Sequence, residues 1–238
     1  MPKRPPFSRR LATAATWPFG LALTSWTYMW RTTPMHRREE RGSAVVDAPP
    51  PLPEGVPRTE LQPPADGVGP LFHRTYRTRI RNTRVSPEEL VATIRADLNR
   101  VAPTEFARFF KVHGDKEEMA VGDEYLVRMP GPWDGPVRVV ALTPRSFRLA
   151  TLAGHLEAGQ IEFTAARDDE LVFEIESWAR AGDRLCDLLY QRLRMAKEIQ
   201  LHMWTSFLEQ VAKLAGGRMS GGIQIVTRRV DDVGQLDG

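Results

Sequence analysis

Between Leu185 and Ala215, apolar residues recur at three- and four-residue steps: Leu185, Leu188, Leu189, Leu193, Ala196, Ile199, Met203, Phe207, Val211 and Leu214. That spacing collects them on one face of an α-helix, with Arg192, Arg194, Lys197, Glu198, Gln200, Glu209 and Lys213 mostly on the others. No proline or glycine interrupts the run; Gly182-Asp183 offers a start and Gly216-Gly217 a stop. A helix of roughly 45 Å must bury such a stripe against a partner, because helix propensity alone leaves it marginal. Its leucines, Met203 and Phe207 should form a wall of the interior, with Gln200, His202 and Trp204 at the edge.

Period two governs most of the chain before that helix. Leu71 to Ile80 alternates, with Phe72, Arg74, Tyr76, Thr78 and Ile80 on one face and His73, Thr75, Arg77 and Arg79 on the other. Ser86-Pro87-Glu88-Glu89 then opens a helix with a capping box, and Leu90, Val91, Ile94 and Leu98 form its apolar stripe. Pro103 begins a second, shorter helical piece through Phe106, Phe109 and Phe110. Strands are predicted at Phe110–His113, Asp123–Met129, Val137–Leu142, Phe147–Leu152, Gln160–Ala166 and Leu171–Trp178, joined by short turns. Consecutive strands with such connections pair antiparallel. The predicted architecture is therefore α+β, a helix-grip arrangement in which a curved antiparallel sheet of about six to seven strands wraps the long C-terminal helix.

The ends of the chain have a different character. Met1 to Arg41 holds eight Lys/Arg against two Glu, whereas the remainder is mildly acidic, which argues against a nucleic-acid-binding domain. Leu11 to Trp30 carries no charge, and Trp17, Trp26, Tyr28 and Trp30 suit a headgroup layer. Three readings fit this arm: an uncleaved anchor or interfacial helix, a helix docked on the protein's own domain, or an export signal. The expected location is cytoplasmic, with membrane association through residues 11–41 and export left open. Eight of the nineteen prolines lie between Pro49 and Pro70, so residues 42–69 read as a stiff linker or a strap across the surface. Residues 70–215 form the helix-grip domain, and 216–238 a mostly disordered tail in which Ile223–Val226 could be a brief strand.

The run Leu152-Ala153-Gly154-His155-Leu156-Glu157-Ala158-Gly159-Gln160-Ile161-Glu162-Phe163 resembles a block of the DUF1990 (UPF0548) family of uncharacterised proteins. Asp66-Gly67-Val68-Gly69 followed by Phe72-His73-Arg74-Thr75-Tyr76, together with Val121-Gly122-Asp123 and Val137-Arg138-Val139-Val140, extends the resemblance over roughly Asp66 to Ala215. That family is similar to the START/Bet v 1-like (SRPBCC) helix-grip superfamily. The resemblance implies a cavity between sheet and helix for an apolar ligand, and no established activity.

Candidate chemistry centres on His155 and Glu157, with Arg74, Tyr76 and His113. As an acid–base pair His155 and Glu157 would serve a cyclase, hydrolase or isomerase, and Arg74 would meet a ligand carboxylate or phosphate. Equally, residues 154–159 form a hairpin loop whose side chains can simply hydrogen-bond backbone. Trp133, Trp178, Met203 and Phe207 line either a ligand pocket or core. The single cysteine, Cys186, reads as a small buried residue. His155-x-Glu157 has no Pro-Cys-x-x-Cys partner, the five histidines show no ligand spacing, and no phosphate loop or nucleophile elbow is present. No metal or cofactor is expected. Two function classes remain, a non-catalytic binder of an apolar or amphipathic small molecule and an acid–base enzyme, beside a blander interaction scaffold with a filled core.

Overall fold

The computed structural model describes residues 33–104, 107–115, 117–129, 134–182 and 195–231. They form one nine-stranded sheet and two α-helices. In chain order these are β1 (Met35–Arg41), β2 (Val68–Arg81), α1 (Pro87–Ala96), β3 (Arg108–His113), β4 (Glu124–Arg128), β5 (Asp134–Thr143), β6 (Ser146–Thr151), β7 (Glu157–Arg167), β8 (Leu171–Ala181), α2 (Met195–Leu214) and β9 (Arg218–Val230). The spatial order is β1-β9-β2-β8-β7-β6-β5-β4-β3. Every neighbouring pair is antiparallel except β1 with β9.

The mixed α+β class agrees with the sequence pattern; the strand count exceeds it, with one strand in the basic arm, where none was expected, and one in the tail, where only Ile223–Val226 was read as a brief strand. Met35–Arg41, read as part of a basic arm, is edge strand β1. Arg218–Val230, read as mostly disordered tail, is a thirteen-residue strand between β1 and β2. Its Gly221 and Gly222, at φ +72° and +75°, belong to the pairing rather than to a loose end. They sit where the β2–β9 register skips, from Thr78↔Ile223 to Arg79↔Ser220, a kink that needs left-handed backbone. Beyond it Ile223, Ile225 and Thr227 point into the core. Of the helical piece expected from Pro103, Phe109 and Phe110 belong to β3 and Phe106 lies outside the described residues; a 3-10 turn at Leu98–Arg100 precedes it. The long helix is present from Met195, and the predicted residues 185–194 lie outside the described ones.

Both helices pack on one face of the sheet, called inner here. Leu90, Val91 and Ile94 of α1 join Trp204, Phe207, Leu208 and Val211 of α2 in a single cluster. One cross-strand row supplies its floor: Ile225, Tyr76, Ile175, Phe163 and Phe147 stand side by side on β9, β2, β8, β7 and β6. Phe163 stacks on Phe147 at 4.6 Å, meets Trp204 edge-on at 5.6 Å and lies tilted against Phe207 at 5.4 Å. The α1 start is as read: the Ser86 hydroxyl accepts from the Glu89 N–H at 3.1 Å, and the Ser86 N–H donates to the Glu89 carboxylate at 2.8 Å.

The proline-rich stretch crosses the outer face. Beneath it runs another row, Arg228, His73, Trp178, Gln160, Ala150 and Arg138, spanning β9, β2, β8, β7, β6 and β5. Prolines have no N–H, so this strap joins the sheet through its carbonyls, which side chains of the sheet reach up to meet. Gln160 donates to Pro50 O at 3.2 Å, Arg148 to Pro51 O at 3.2 Å, and Arg138 to Pro57 O and Thr59 O at 2.8 Å each. Val56 and Leu52 pack on Val140 and Ala150. Among the described residues no helix is long and apolar enough to cross a membrane, and residues 1–32 lie outside them.

Candidate functional site

His73 and Arg74 are neighbours in β2, so the strand pleat sends their side chains to opposite faces. Both are buried, each beneath a different cover.

On the outer face the His73 imidazole bridges two carboxylates, Nδ1 to Asp47 of the strap at 2.7 Å and Nε2 to Glu176 of β8 at 2.6 Å. The ring stacks on Trp178 at 5.2 Å and 13°. Burial alone would lower the His73 pKa, but the hydrogen bonds and charges of Glu176 and Asp47 outweigh it and raise the pKa above the ordinary histidine value. Burial would raise Asp47 in turn, and His73, the Ser43 N–H and Arg228 outweigh that to hold it low. His73 therefore titrates at a higher pH than a free histidine and Asp47 at a lower one, so the pair is favoured in its charged form as a clasp for the strap.

On the inner face Arg74 sits at 2 % exposure, one row beyond the aromatic floor. That row reads Thr227, Arg74, Ser177, Ile161, Leu149 and Val139 across β9, β2, β8, β7, β6 and β5, polar at one end and apolar at the other. Arg74 Nη1 donates to Gln200 Oε1 of α2 at 2.8 Å, and its guanidinium lies over the Phe72 ring at 4.6 Å. Gln200 Nε2 donates to both Glu157 oxygens at 3.3 Å, while Arg74 and Glu157 stand 3.9 Å apart. The amide thus bridges a cation and an anion of opposite charge. Next along the sheet the residues are small, Ala179 on β8 and Gly159 on β7.

The expected His155–Glu157 acid–base pair is not assembled. His155 Nδ1 lies 2.9 Å from the Glu157 backbone N–H and 3.1 Å from the Glu157 carbonyl oxygen, so the ring is tied to the backbone of its own loop. Gly135 lies against Nε2 so closely that a Cβ there would stand 2.9 Å away. Burial holds the His155 pKa below the ordinary value, against the opposing pull of Glu157. The Glu157 carboxylate turns instead to Gln200. Gln62 of the strap fixes the whole loop, donating to His155 O at 3.1 Å and Glu157 O at 3.2 Å while accepting from the Gly154 N–H at 3.1 Å.

Other expected positions separate. Tyr76 and Phe207 are core at 2 % and 1 % exposure, and Met203 is half-buried against the same cluster. Trp178 faces the strap with Leu71 and Val230, not the interior, because it lies one residue out of phase with Ile175 and Ser177. His113 is exposed at the end of β3, and Trp133 lies outside the described residues. Arg74 has no cross-strand partner in Glu174 or Glu176, which belong to the opposite face with Arg77. Gln200, His202 and Trp204, expected at the edge of the helix, are all buried. Residues missed by the pattern are Gln62, Asp47 and Ser177; only Ser177 left a trace, as the polar member of the inward series Leu171, Phe173, Ile175, Ser177. Among the described residues no group of His, Cys, Asp and Glu is placed to hold a metal ion.

Fold and site together define an α+β protein with a small charged cluster enclosed between sheet and helix. The chain belongs to the DUF1990 family, a domain of unknown function, whose model matches residues 67–209. No curated protein matches the sequence. Among solved structures the chain is similar to truncated norcoclaurine synthase from Thalictrum flavum, at 12 % identity and TM-score 0.45, covering 62 % of this chain and 95 % of that one. A hypothetical protein from Helicobacter pylori, jhp0584, shares 9 % identity at TM-score 0.45 over 69 % and 95 % of the two chains. Ara h 8.0201 shares 10 % at TM-score 0.39 over 60 % and 97 %.

Proposed function

We propose that the protein binds an apolar or amphipathic small molecule, without catalysis, in the interior between the sheet and α2. The observation that carries this reading is the Arg74–Gln200–Glu157 cluster, in which Arg74 and Gln200 are buried and Glu157 is half-buried. A hydrophobic core gains nothing from an enclosed ion pair that apolar residues could replace, whereas a ligand site combines apolar walls with a few placed polar groups. The row holding Arg74 supplies both kinds of residue, Ile161 and Leu149 beside Ser177. The position of His155, bonded to its own loop, gives the enzyme reading no acid–base pair to work with.

Native mass spectrometry of the full chain, isolated without detergent, tests the proposal. A lipophilic small molecule should co-purify and be lost on Arg74→Met, a change that keeps the stem and removes the charge. A ligand-free spectrum, together with no uptake from a lipophilic extract, would defeat it. Retention of the same ligand by His155→Ala protein is also expected, since His155 shapes the loop rather than touching the interior cluster.

A further inference from the structure

The inner polar row contains more hydrogen-bonding capacity than its neighbours use. Ser177 stands between Arg74 and Ile161 in register, at 3 % exposure, and its hydroxyl has no hydrogen-bond partner among the described residues. Trp204 follows Gln200 by one helical turn, at 7 % exposure, with its ring edge-on to Phe163 and its indole N–H equally without an acceptor among them. Phe163 is itself two residues along β7 from Ile161, so Ser177 and Trp204 flank one stretch of the interior from sheet and helix. Buried polar groups are nearly always satisfied, and two exceptions so placed beside a charged cluster call for a shared acceptor.

The chemistry of that acceptor follows from the inventory. An indole N–H only donates, and a hydroxyl donates readily. The one carboxylate of the cluster, Glu157, already receives the Gln200 amide. Arg74 and Glu157 balance each other at 3.9 Å. A ligand carboxylate would add a second negative charge beside Glu157 where little water screens it. A neutral oxygen acceptor adds none.

We propose that the interior site takes a small molecule whose polar end is a neutral carbonyl, as in a ketone, ester or amide, received by the Trp204 N–H and the Ser177 hydroxyl. The apolar body of the ligand then lies against Ile161 and Phe163. This inference rests on the small-molecule reading above and adds to it the class of the polar group.

Two fluorescent probes separate the possibilities in the full chain: 6-propionyl-2-dimethylaminonaphthalene, a neutral aryl ketone, and 8-anilinonaphthalene-1-sulfonate, an anion of similar size. The ketone should bind, and Trp204→Phe and Ser177→Ala should each weaken it about five- to tenfold, the worth of one neutral hydrogen bond. Sulfonate binding should be insensitive to both changes. Thermal melting of the two variants should be no lower than wild type, because each removes a buried group that lacks a partner, and this guards against loss through misfolding. Ketone binding unchanged in both variants, with the two polar groups satisfied by water only, overturns the inference and leaves the small-molecule reading standing. Weakening confined to the sulfonate also overturns it, in favour of an anionic ligand. Failure of the ketone to bind wild type overturns this inference, and failure of both probes overturns the proposed function with it.

Discussion

His73 and Arg74 share a strand, a degree of burial and a positive character, yet they do opposite work. The outer cluster is complete: the His73 ring bonds a carboxylate at each nitrogen, and Arg228 stands 3.9 Å from Asp47. Completion of this kind produces rigidity, and here it fastens a strap that has few N–H groups of its own. The inner cluster is a bridge of modest bonds, one at 2.8 Å and two at 3.3 Å, set beside a hydroxyl and an indole that have no partner among the described residues. The difference lies between the two clusters and not between the two faces: beneath the strap Gln160 Oε1 and Arg148 Nε and Nη1 also lack a partner among the described residues.

The contrast can be broken from either side. The largest effect should come from the apolar floor that both helices depend on. Phe163→Ala removes a ring stacked on Phe147 and packed against Phe207, and should cost about 4 kcal/mol in urea unfolding. On the outer face His73→Ala leaves the Asp47 carboxylate buried without its imidazole and should cost about 3 kcal/mol. Wild-type stability in that variant would make the clasp ornamental and end the comparison.

The clasp also has a pH signature. Because His73 is raised, its contribution is whole below the unfolded value of 6.5 and disappears as pH rises through the higher folded value. Because Asp47 is lowered, its contribution is whole above 3.8 and disappears as pH falls through the lower folded value. Urea midpoints for wild type and His73→Gln should therefore differ most between those limits and converge on the alkaline side. A constant gap up to pH 9 would show that the imidazole is neutral and the clasp uncharged. Smallest of all, Gln62→Ala should cost about 1 kcal/mol, with faster hydrogen exchange at the Gly154 amide that loses its acceptor. Unaltered exchange there would mean that the strap does not hold the loop.

Much of the sheet was legible because alternation and turn chemistry agree, as in β7 and β8, and the α1 capping box was readable to the residue. What escaped has identifiable causes. Gly221 and Gly222 carry the same local signal whether they loosen a tail or kink a strand, and only the β2 partner decides. The helix face was misjudged for a related reason: α2 is buried on more than one side, so Gln200, His202 and Trp204 are enclosed along with Phe207 and Val211 of the apolar stripe. Arg74 was singled out, but its partners lie far along the chain, with Gln200 126 residues away. No spacing rule connects such a pair. Gln62 and Asp47 sit in a stretch whose prolines advertise a lack of pattern, and their role follows from a strap position that composition does not encode.

The place of β9, between edge strand β1 and β2, sets the order in which the sheet can be completed. Arg81 at one end of β2 pairs with Arg218, and β1 pairs with nothing but β9 among the described strands. On a ribosome, therefore, β2 would emerge early and wait with one edge open while the rest of the sheet is synthesised. An open edge of fourteen residues is an invitation to wrong partners. The strand that closes it arrives after both helices, so closure of the sheet is a late and long-range event, and the newborn chain has reason to depend on chaperones until residue 230 has been made.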